Sequence, residues 1–450
     1  MFSITNPFNL TFLSQHQYIT GFQASEKLDI SQKTFVYWKV LTVPERTKFI
    51  TNLIFSLTEK QQILAQKATL EMGKPISQAI SEVKKCITLC EYYIENGFEY
   101  LKDKSITGVA TETFVTYEPL GVILGVMPWN FPYWQVFRFA IPAILAGNTV
   151  VVKHASNVAG CAELLEDMFL DAGFPKGVYQ NLLIEGKQVE AVIENPIIKA
   201  VSLTGSEKAG ASVSSAAAGI IKKAVLELGG SNAFIVCADA DLDETVKTAV
   251  TARMQNTGQS CIAAKRFLVS SEIYDEFLQK FKKGVEDLKI GDPMDEGTYI
   301  GPMARVDLAE EIEKQVNKSV EMGAKILTGG KRKDAFYDPT ILVEVTPDMP
   351  AFKEELFGPV AAVTKFETFE EAVRLSNDSK FGLGVSIFTL DIEGIKQKVH
   401  LFEEGAVFIN EMVTSHPALP FGGVKTSGYG RELAENGLKE FVNVKTVYIK

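Results

Sequence analysis

From residue 121 onward the chain alternates short unbroken apolar runs with amphipathic stretches, and nothing else in it constrains the fold as tightly. Residues 121–126 read Gly-Val-Ile-Leu-Gly-Val, apolar on both faces. A strand of that kind belongs in a parallel sheet covered by helices. Strand-like runs follow at 149–153, 179–184, 200–203 and 233–236, with amphipathic stretches at 160–172 and 186–194 between them. A second alternating block after Cys261 holds strands at 266–269 and 361–366, helices over 272–288 and 307–322, and strands at 407–409 and 444–449. The pattern predicts an α/β fold with helices on both faces of its sheets. Ahead of it, 44–100 keeps helical spacing through Leu53, Ile54, Leu57, Ile63 and Leu64, broken at Gly73-Lys74-Pro75, and 114–117 is a short β signal. At 450 residues the chain exceeds the ~250–300 at which one core stops growing, so two α/β domains with a small extra sheet are expected.

Charge and apolar content exclude several classes of partner. Lys and Arg number 46 against 56 Asp and Glu, a balance of −10 with no dense basic run, so no nucleic-acid partner is expected. The longest apolar stretches, 119–132 and 139–152, are broken by Pro, Gly and Asn and fall short of the ~20 residues of a membrane span. Residues 1–14 lack the charged start and apolar block of a secretory signal. The five cysteines are irregularly spaced, as expected in a reducing compartment. A cytoplasmic location is the expectation. Cys86 and Cys90 stand four apart in a helical pattern and read as packed thiols, without the further ligands of a metal site.

Four polar sites fall at the ends of these runs. Asn256-Thr257-Gly258-Gln259-Ser260 leads into Cys261 through a glycine-containing turn. Such a turn exposes backbone N–H groups that can stabilise a thiolate, although a lone cysteine is more often a small buried apolar residue than a nucleophile. Glu227 follows the apolar run 224–226 and opens Glu227-Leu228-Gly229-Gly230. It can act as a general base on water if its pocket raises its pKa, or it can simply cap a strand end. Pro128-Trp129-Asn130-Phe131-Pro132 lies just beyond the run 122–126, where α/β proteins place ligands. Two prolines bracket the Asn130 amide, and an oxyanion needs a rigid N–H donor of that kind. Thr204-Gly205-Ser206 ends the run 200–203 and opens a helix, a junction that offers N–H groups to phosphate. No GxGxxG occurs, so the standard dinucleotide fingerprint is absent.

With PWNFP at 128–132, Lys153, LTGS at 203–206, ELGG at 227–230, NTGQSC at 256–261, EELFGP at 354–359 and PFGGVKTSGYGRE at 420–432, the chain resembles the aldehyde dehydrogenase superfamily from about Pro44 to Lys450. The resemblance implies NAD(P)-dependent oxidation of an aldehyde to a carboxylic acid. It makes Cys261 the nucleophile, Asn130 and the Cys261 backbone N–H the oxyanion donors, and Glu227 the base that activates water against a thioester. The cofactor residues it implies are Trp129, Lys153, Ser156, Thr204, Gly205, Ser206, Leu228, Glu355 and Phe357. Lys153 would lie at the adenosine ribose and Glu355 at the nicotinamide ribose, with no metal. The implied cofactor fold is a Rossmann variant, which accounts for the missing fingerprint. The implied cofactor domain takes 1–102 and 120–228 with a late return segment at 421–440, and the catalytic domain takes 229–420. An arm at 103–119 and 441–450 would pair with a neighbour in a homodimer or homotetramer.

Two departures bear on selectivity. Many relatives carry Glu three residues after the cofactor lysine, whereas this chain has Ser156. Serine can donate to a 2′-phosphate that Glu would repel, so NADP is expected to be accepted alongside NAD and mildly favoured. His154 beside Lys153 reads as packing. Arg138 matches the arginine that succinate-semialdehyde dehydrogenases use for the distal carboxylate. The short bacterial members of that group are also similar in Lys153-His154-Ala155 and Ala263-Ala264-Lys265-Arg266. Succinic semialdehyde is the expected substrate. Against it, Gln255 stands where some relatives have a second arginine, and the loop 415–418 offers a cation only if His416 is protonated. Trp134, Phe137 and Phe421 suit an apolar or aromatic aldehyde equally well. A CoA-acylating relative would tend to lack Glu227, and a non-enzymatic protein of this fold would be expected to have lost Cys261, Glu227 or Asn130.

Overall fold

The computed structural model describes residues 1–450, with two large sheets, a three-stranded sheet and three two-stranded pairs. The first has six strands in the order Gly428–Tyr429, Lys223–Glu227, Ile198–Thr204, Val122–Met127, Thr149–His154, Tyr179–Asn181. All pairings are parallel except that of Gly428–Tyr429 with Lys223–Glu227. The second has seven, in the order Lys325–Thr328, Thr340–Val343, Val360–Phe366, Ala264–Ser270, Asn232–Val236, Val385–Phe388, Val407–Ile409, antiparallel only at its first edge. The expected α/β class is what the chain adopts.

Alternation of side chains explains why both sheets are covered on both faces. Ile123 points into one apolar core while Val122 and Leu124 point into another. In the second sheet Ala233 and Ile235 enter one core and Phe234 and Val236 the opposite one. An unbroken apolar run is the only sequence that satisfies two such cores at once. The helices Val43–Glu59, Gln61–Met72, Ile76–Leu101 and Trp134–Leu145 supply the largest core, against one face of the first sheet.

Several boundaries differ from the sequence expectation. The helical region 44–100 is three helices, broken at Lys60 as well as at Gly73, whose φ of 77° ends the second. The strand expected at 179–184 stops at Asn181, because the Leu183 carbonyl turns to accept the Ile19 N–H at 2.9 Å. A helix at Gly21–Trp38, capped by Thr20 and Gln23, and a hairpin of Phe2–Thr5 with Phe12–His16 precede the region first read as helical.

Three features position the site. The chain leaves Val122–Met127 towards one side of the first sheet and returns at Ile198–Thr204 on the other. Their adjacent carboxyl ends therefore flank a topological switch point, where a crevice opens. Glu227 ends the first sheet's last parallel strand and Asn232 begins the second sheet, so Leu228-Gly229-Gly230-Ser231 is the passage between them. A third sheet pairs Val442–Ile449 with Glu112–Pro119, and that with Lys104–Ser105, leaving Val444, Tyr448 and Ile449 exposed. No helix is long and apolar enough to cross a membrane.

Candidate active site

Cys261 sits where two cavities meet. A large one of about 620 Å³ is lined by Trp129, Asn130, Thr204, Gly205, Ser206, Glu227, Leu228, Glu355 and Phe357, among others. A small one of about 170 Å³ is lined by Lys85, Trp134, Arg138, Gln255, Ser415 and Phe421, among others. Cys261 and Gln135 line both.

The loop carrying Cys261 is held in a costly conformation. Asn256, Thr257 and Gly258 all have left-handed φ, at 55°, 53° and 71°. For two non-glycine residues in succession this is strain that the surroundings must over-determine. They do so: Arg253 donates to the carbonyls of Gly258 and Ala264, and the Gln259 Oε1 accepts the Ala304 N–H at 2.9 Å. Lys265 Nζ donates to the Ser260 and Cys261 carbonyls at 2.9 and 2.8 Å. A Cβ on Gly258 would come within 2.3 Å of the Gly358 carbonyl oxygen, so only glycine fits there. The Asn130 Nδ2 donates to the Gln259 carbonyl at 3.1 Å, and the Asn130 carbonyl accepts from Asn256 Nδ2 at 2.9 Å. The amide is therefore fixed to the cysteine loop on one side and borders the large cavity on the other.

The electrostatics divide between burial and neighbours. Burial pushes the Cys261 thiol up, while Arg138 and Lys265 pull it back down. Glu227 is 2% exposed and its Oε1 has no hydrogen-bond partner. Burial first, and then the nearby Glu432, raise it well above the ordinary carboxylate range, against the pull of Arg138 and Arg431. A carboxylate so raised is a stronger base once ionised.

The large cavity has the features of a dinucleotide site. The Gly205 N–H is taken by the Glu227 carbonyl at 3.0 Å. The helix Glu207–Gly219, capped by Ser206, therefore presents the N–H groups of Glu207 and Lys208 without intrahelical partners. Glu355 is fixed by the Gly230 N–H and Lys265 Nζ, both at 3.0 Å. A Cβ on Gly229 would meet Glu355 Oε2 at 2.2 Å, so the glycine pair makes room for that carboxylate. Trp129 and Phe357 meet edge to face at 5.7 Å. Lys153 and Ser156 lie outside the cavity lining. Lys153 pairs in register with Val126 at the same sheet edge, and burial lowers its pKa. Ser156 Oγ hydrogen-bonds Tyr18 at 2.9 Å. His154 is buried and held down to about 4 by burial and then by Lys153, so it packs as a neutral ring.

In the small cavity, Arg138 pairs with Glu432, donates from Nη2 to Thr204 Oγ1 at 3.3 Å, and stacks 4.6 Å from the Phe421 ring centroid. Phe137 is wholly buried and lines neither cavity, and His416 is exposed and lines neither. Lys85 lies outside every sequence motif, while Glu432 closes the motif at 420–432 and Ser415 opens the loop 415–418 without a role assigned from sequence. Lys85 is half-buried on its helix next to the buried Glu82 and Cys86, and a charge bordering that apolar stripe is the signal the sequence offers.

Residues 1–447 match the Aldehyde dehydrogenase family. The chain is 48% identical to a probable succinate-semialdehyde dehydrogenase [NADP(+)] of Synechocystis, over 98% of this chain and 96% of that protein. It is 46% identical to the succinate semialdehyde dehydrogenase [NAD(P)+] Sad of Escherichia coli, over 94% and 92%. The crystal structure of succinic semialdehyde dehydrogenase from Streptococcus pyogenes, in complex with NADP+, superposes with a TM-score of 0.97 at 35% identity and full coverage of both chains. A cysteine thiol, a raised carboxylate and a fixed amide around one crevice thus occur within a matching sequence and a matching fold, and the chain belongs to the aldehyde dehydrogenase family.

Proposed function

We propose that this NAD(P)-dependent aldehyde dehydrogenase oxidises an aldehyde carrying a distal carboxylate, with succinic semialdehyde favoured. The observation that carries it is the position of Cys261 between a dinucleotide-shaped cavity and a small cation-bearing one. In this mechanism the Cys261 thiol loses its proton to solvent, the thiolate Sγ bonds the carbonyl carbon, and Asn130 Nδ2 with the Cys261 N–H holds the resulting oxyanion. A nicotinamide held in the large cavity would accept the hydride that the Cys261 thiohemiacetal loses in becoming a thioester. Glu227 then takes a proton from water, whose oxygen displaces the thiolate and releases the acid.

Thr204, Gly205, Ser206, Leu228, Trp129, Glu355 and Phe357 would hold the dinucleotide, with Lys153 at the adenosine ribose. Ser156 would donate to a 2′-phosphate, which favours NADP mildly over NAD, as the NADP-named relatives support. Arg138, Trp134, Gln255 and Phe421 would wall the aldehyde. Functionally, 1–102 and 120–228 with 421–440 form the cofactor domain and 229–420 the catalytic domain. The segments 103–119 and 441–450 form an arm whose open edge suits a second copy of the chain, giving a dimer or tetramer. The test is a panel of aldehydes with each cofactor, following reduced-cofactor absorbance. Succinic semialdehyde with NADP should give the highest kcat/KM; an apolar or aromatic aldehyde in that place would overturn the substrate assignment.

A further inference from the structure

Three charged side chains line the small cavity: Glu82, Lys85 and Arg138. Two of them are already matched. Glu82 pairs with the buried Lys74, and its Oε1 accepts the N–H groups of Tyr133 and Trp134 at 2.8 and 3.0 Å. Arg138 pairs with the buried Glu432. Lys85 has no carboxylate partner. Its Nζ lies 4.3 Å from the Trp134 ring centroid and donates to Ser415 Oγ at 2.8 Å.

Ser415 Oγ also accepts from Trp134 Nε1 at 3.1 Å. Two donors occupy both lone pairs of that oxygen, so its own hydrogen points away from them as a donor. Lys85 keeps two further N–H donors. An unmatched cation in a largely buried cavity is costly unless an anion arrives to pair it.

We propose that Lys85, seated on Ser415 and Trp134, is the residue that reads the substrate's far carboxylate, while the charge of Arg138 is spent on Glu432. The assignment rests on the carboxylate-bearing substrate proposed above. It moves selectivity from the helix Trp134–Leu145 to the helix Ile76–Leu101, far along the sequence from every catalytic motif. A pH signature accompanies it. Burial, and then Arg138, pull the Lys85 ammonium down to about 8 in the free protein, with Cys86, Glu82 and Cys261 acting in the opposite direction.

The test is steady-state kinetics of the full chain with succinic semialdehyde and with butanal, which has the same length and no carboxylate. In Lys85→Met, the ratio of kcat/KM for succinic semialdehyde to that for butanal should fall about 30-fold or more, through KM rather than kcat. Lys85→Arg should keep most of the ratio. In the wild type the ratio should decline above pH 8, and in Lys85→Arg it should stay flat. Where the wild type prefers succinic semialdehyde, equal losses on both aldehydes in Lys85→Met would show a structural role and overturn the assignment, as would no loss on either. A wild type with no such preference overturns it together with the carboxylate-bearing substrate, before any variant is made. Should Lys85→Met fail to fold, Lys85→Gln carries the same expectation.

Discussion

The two cavities that meet at Cys261 are built in opposite ways. The large one is made of consecutive residues at strand ends and helix starts, such as Thr204 to Lys208 and Glu227 to Gly229, and much of what it offers is backbone. The small one draws its recognition side chains from distant segments: Lys85 and Arg138 from two helices, Gln255 from the turn before the cysteine loop, and Ser415 and Phe421 from the loop after Val407–Ile409. A backbone-built cavity is fixed by the fold and carries recognition that many sequences share. A side-chain-built one can be retuned by single substitutions without disturbing the sheets. One scaffold can therefore keep its cofactor chemistry constant while its aldehyde changes.

The largest expected effect tests whether Cys261 belongs equally to both cavities. Cys261→Ala should lower aldehyde oxidation by about 10⁴-fold or more, with every aldehyde and either cofactor. NADP affinity, measured by fluorescence titration, should stay within about threefold, because the large cavity's donors lie on backbone that the variant leaves in place. Loss of NADP binding in a folded variant would show that the cysteine loop builds the cofactor cavity too, and the contrast would collapse.

The same contrast explains what was legible in the sequence. Strand ends announce themselves: an apolar run stops, and a glycine, a capping serine or a bracketed asparagine follows, as at Asn130, Ser206 and Glu227. The alternation gave the sheets, and motif order gave the family. The strand's end at Asn181 is not legible, because the partner that captures Leu183 lies at Ile19, a contact that no local pattern encodes. The role of Lys85 is hidden in the sequence for a similar reason. Its meaning depends on Glu82 being matched by Lys74 and Arg138 by Glu432, pairings that only the folded chain brings together. Arg138 was legible as a cation, but its buried partner, Glu432, is nearly three hundred residues away.

A middle-sized effect should appear on the cofactor side alone. Ser156 Oγ is held by Tyr18 at a helix start beside Lys153. Ser156→Glu would set a carboxylate against a 2′-phosphate, and KM for NADP should rise about 10- to 100-fold while KM for NAD moves by no more than about threefold. The preference for succinic semialdehyde over butanal should not change. Both cofactors weakening together would place Ser156 outside any 2′-phosphate subsite. A shift in aldehyde preference would show that the two cavities are coupled.

The smallest effect concerns stability, and it tests whether Glu227 is held in a state unlike that of an exposed carboxylate. Burial and Glu432 raise its pKa in the folded chain, whereas in the unfolded chain it titrates near the ordinary value, about 4.3. Below that pH both states hold the proton and Glu227 costs nothing. As pH rises, the unfolded chain releases its proton while the folded chain keeps it, so stability falls until the raised pKa is passed. Glu432 is also raised by burial and shifts stability in the same direction, so the wild type alone does not isolate Glu227. Glu227→Gln does, because the amide is nearly the same size and does not titrate. The Tm of the variant should exceed that of the wild type by about 1–3 °C more at pH 8 than at pH 5. Loss of the like-charged neighbour also eases the ionisation of Glu432, which adds to the difference rather than cancelling it. A difference that stays flat across this window would mean that Arg138 and Arg431 outweigh burial and hold Glu227 ionised in the resting site. The base would then need no proton loss before it activates water.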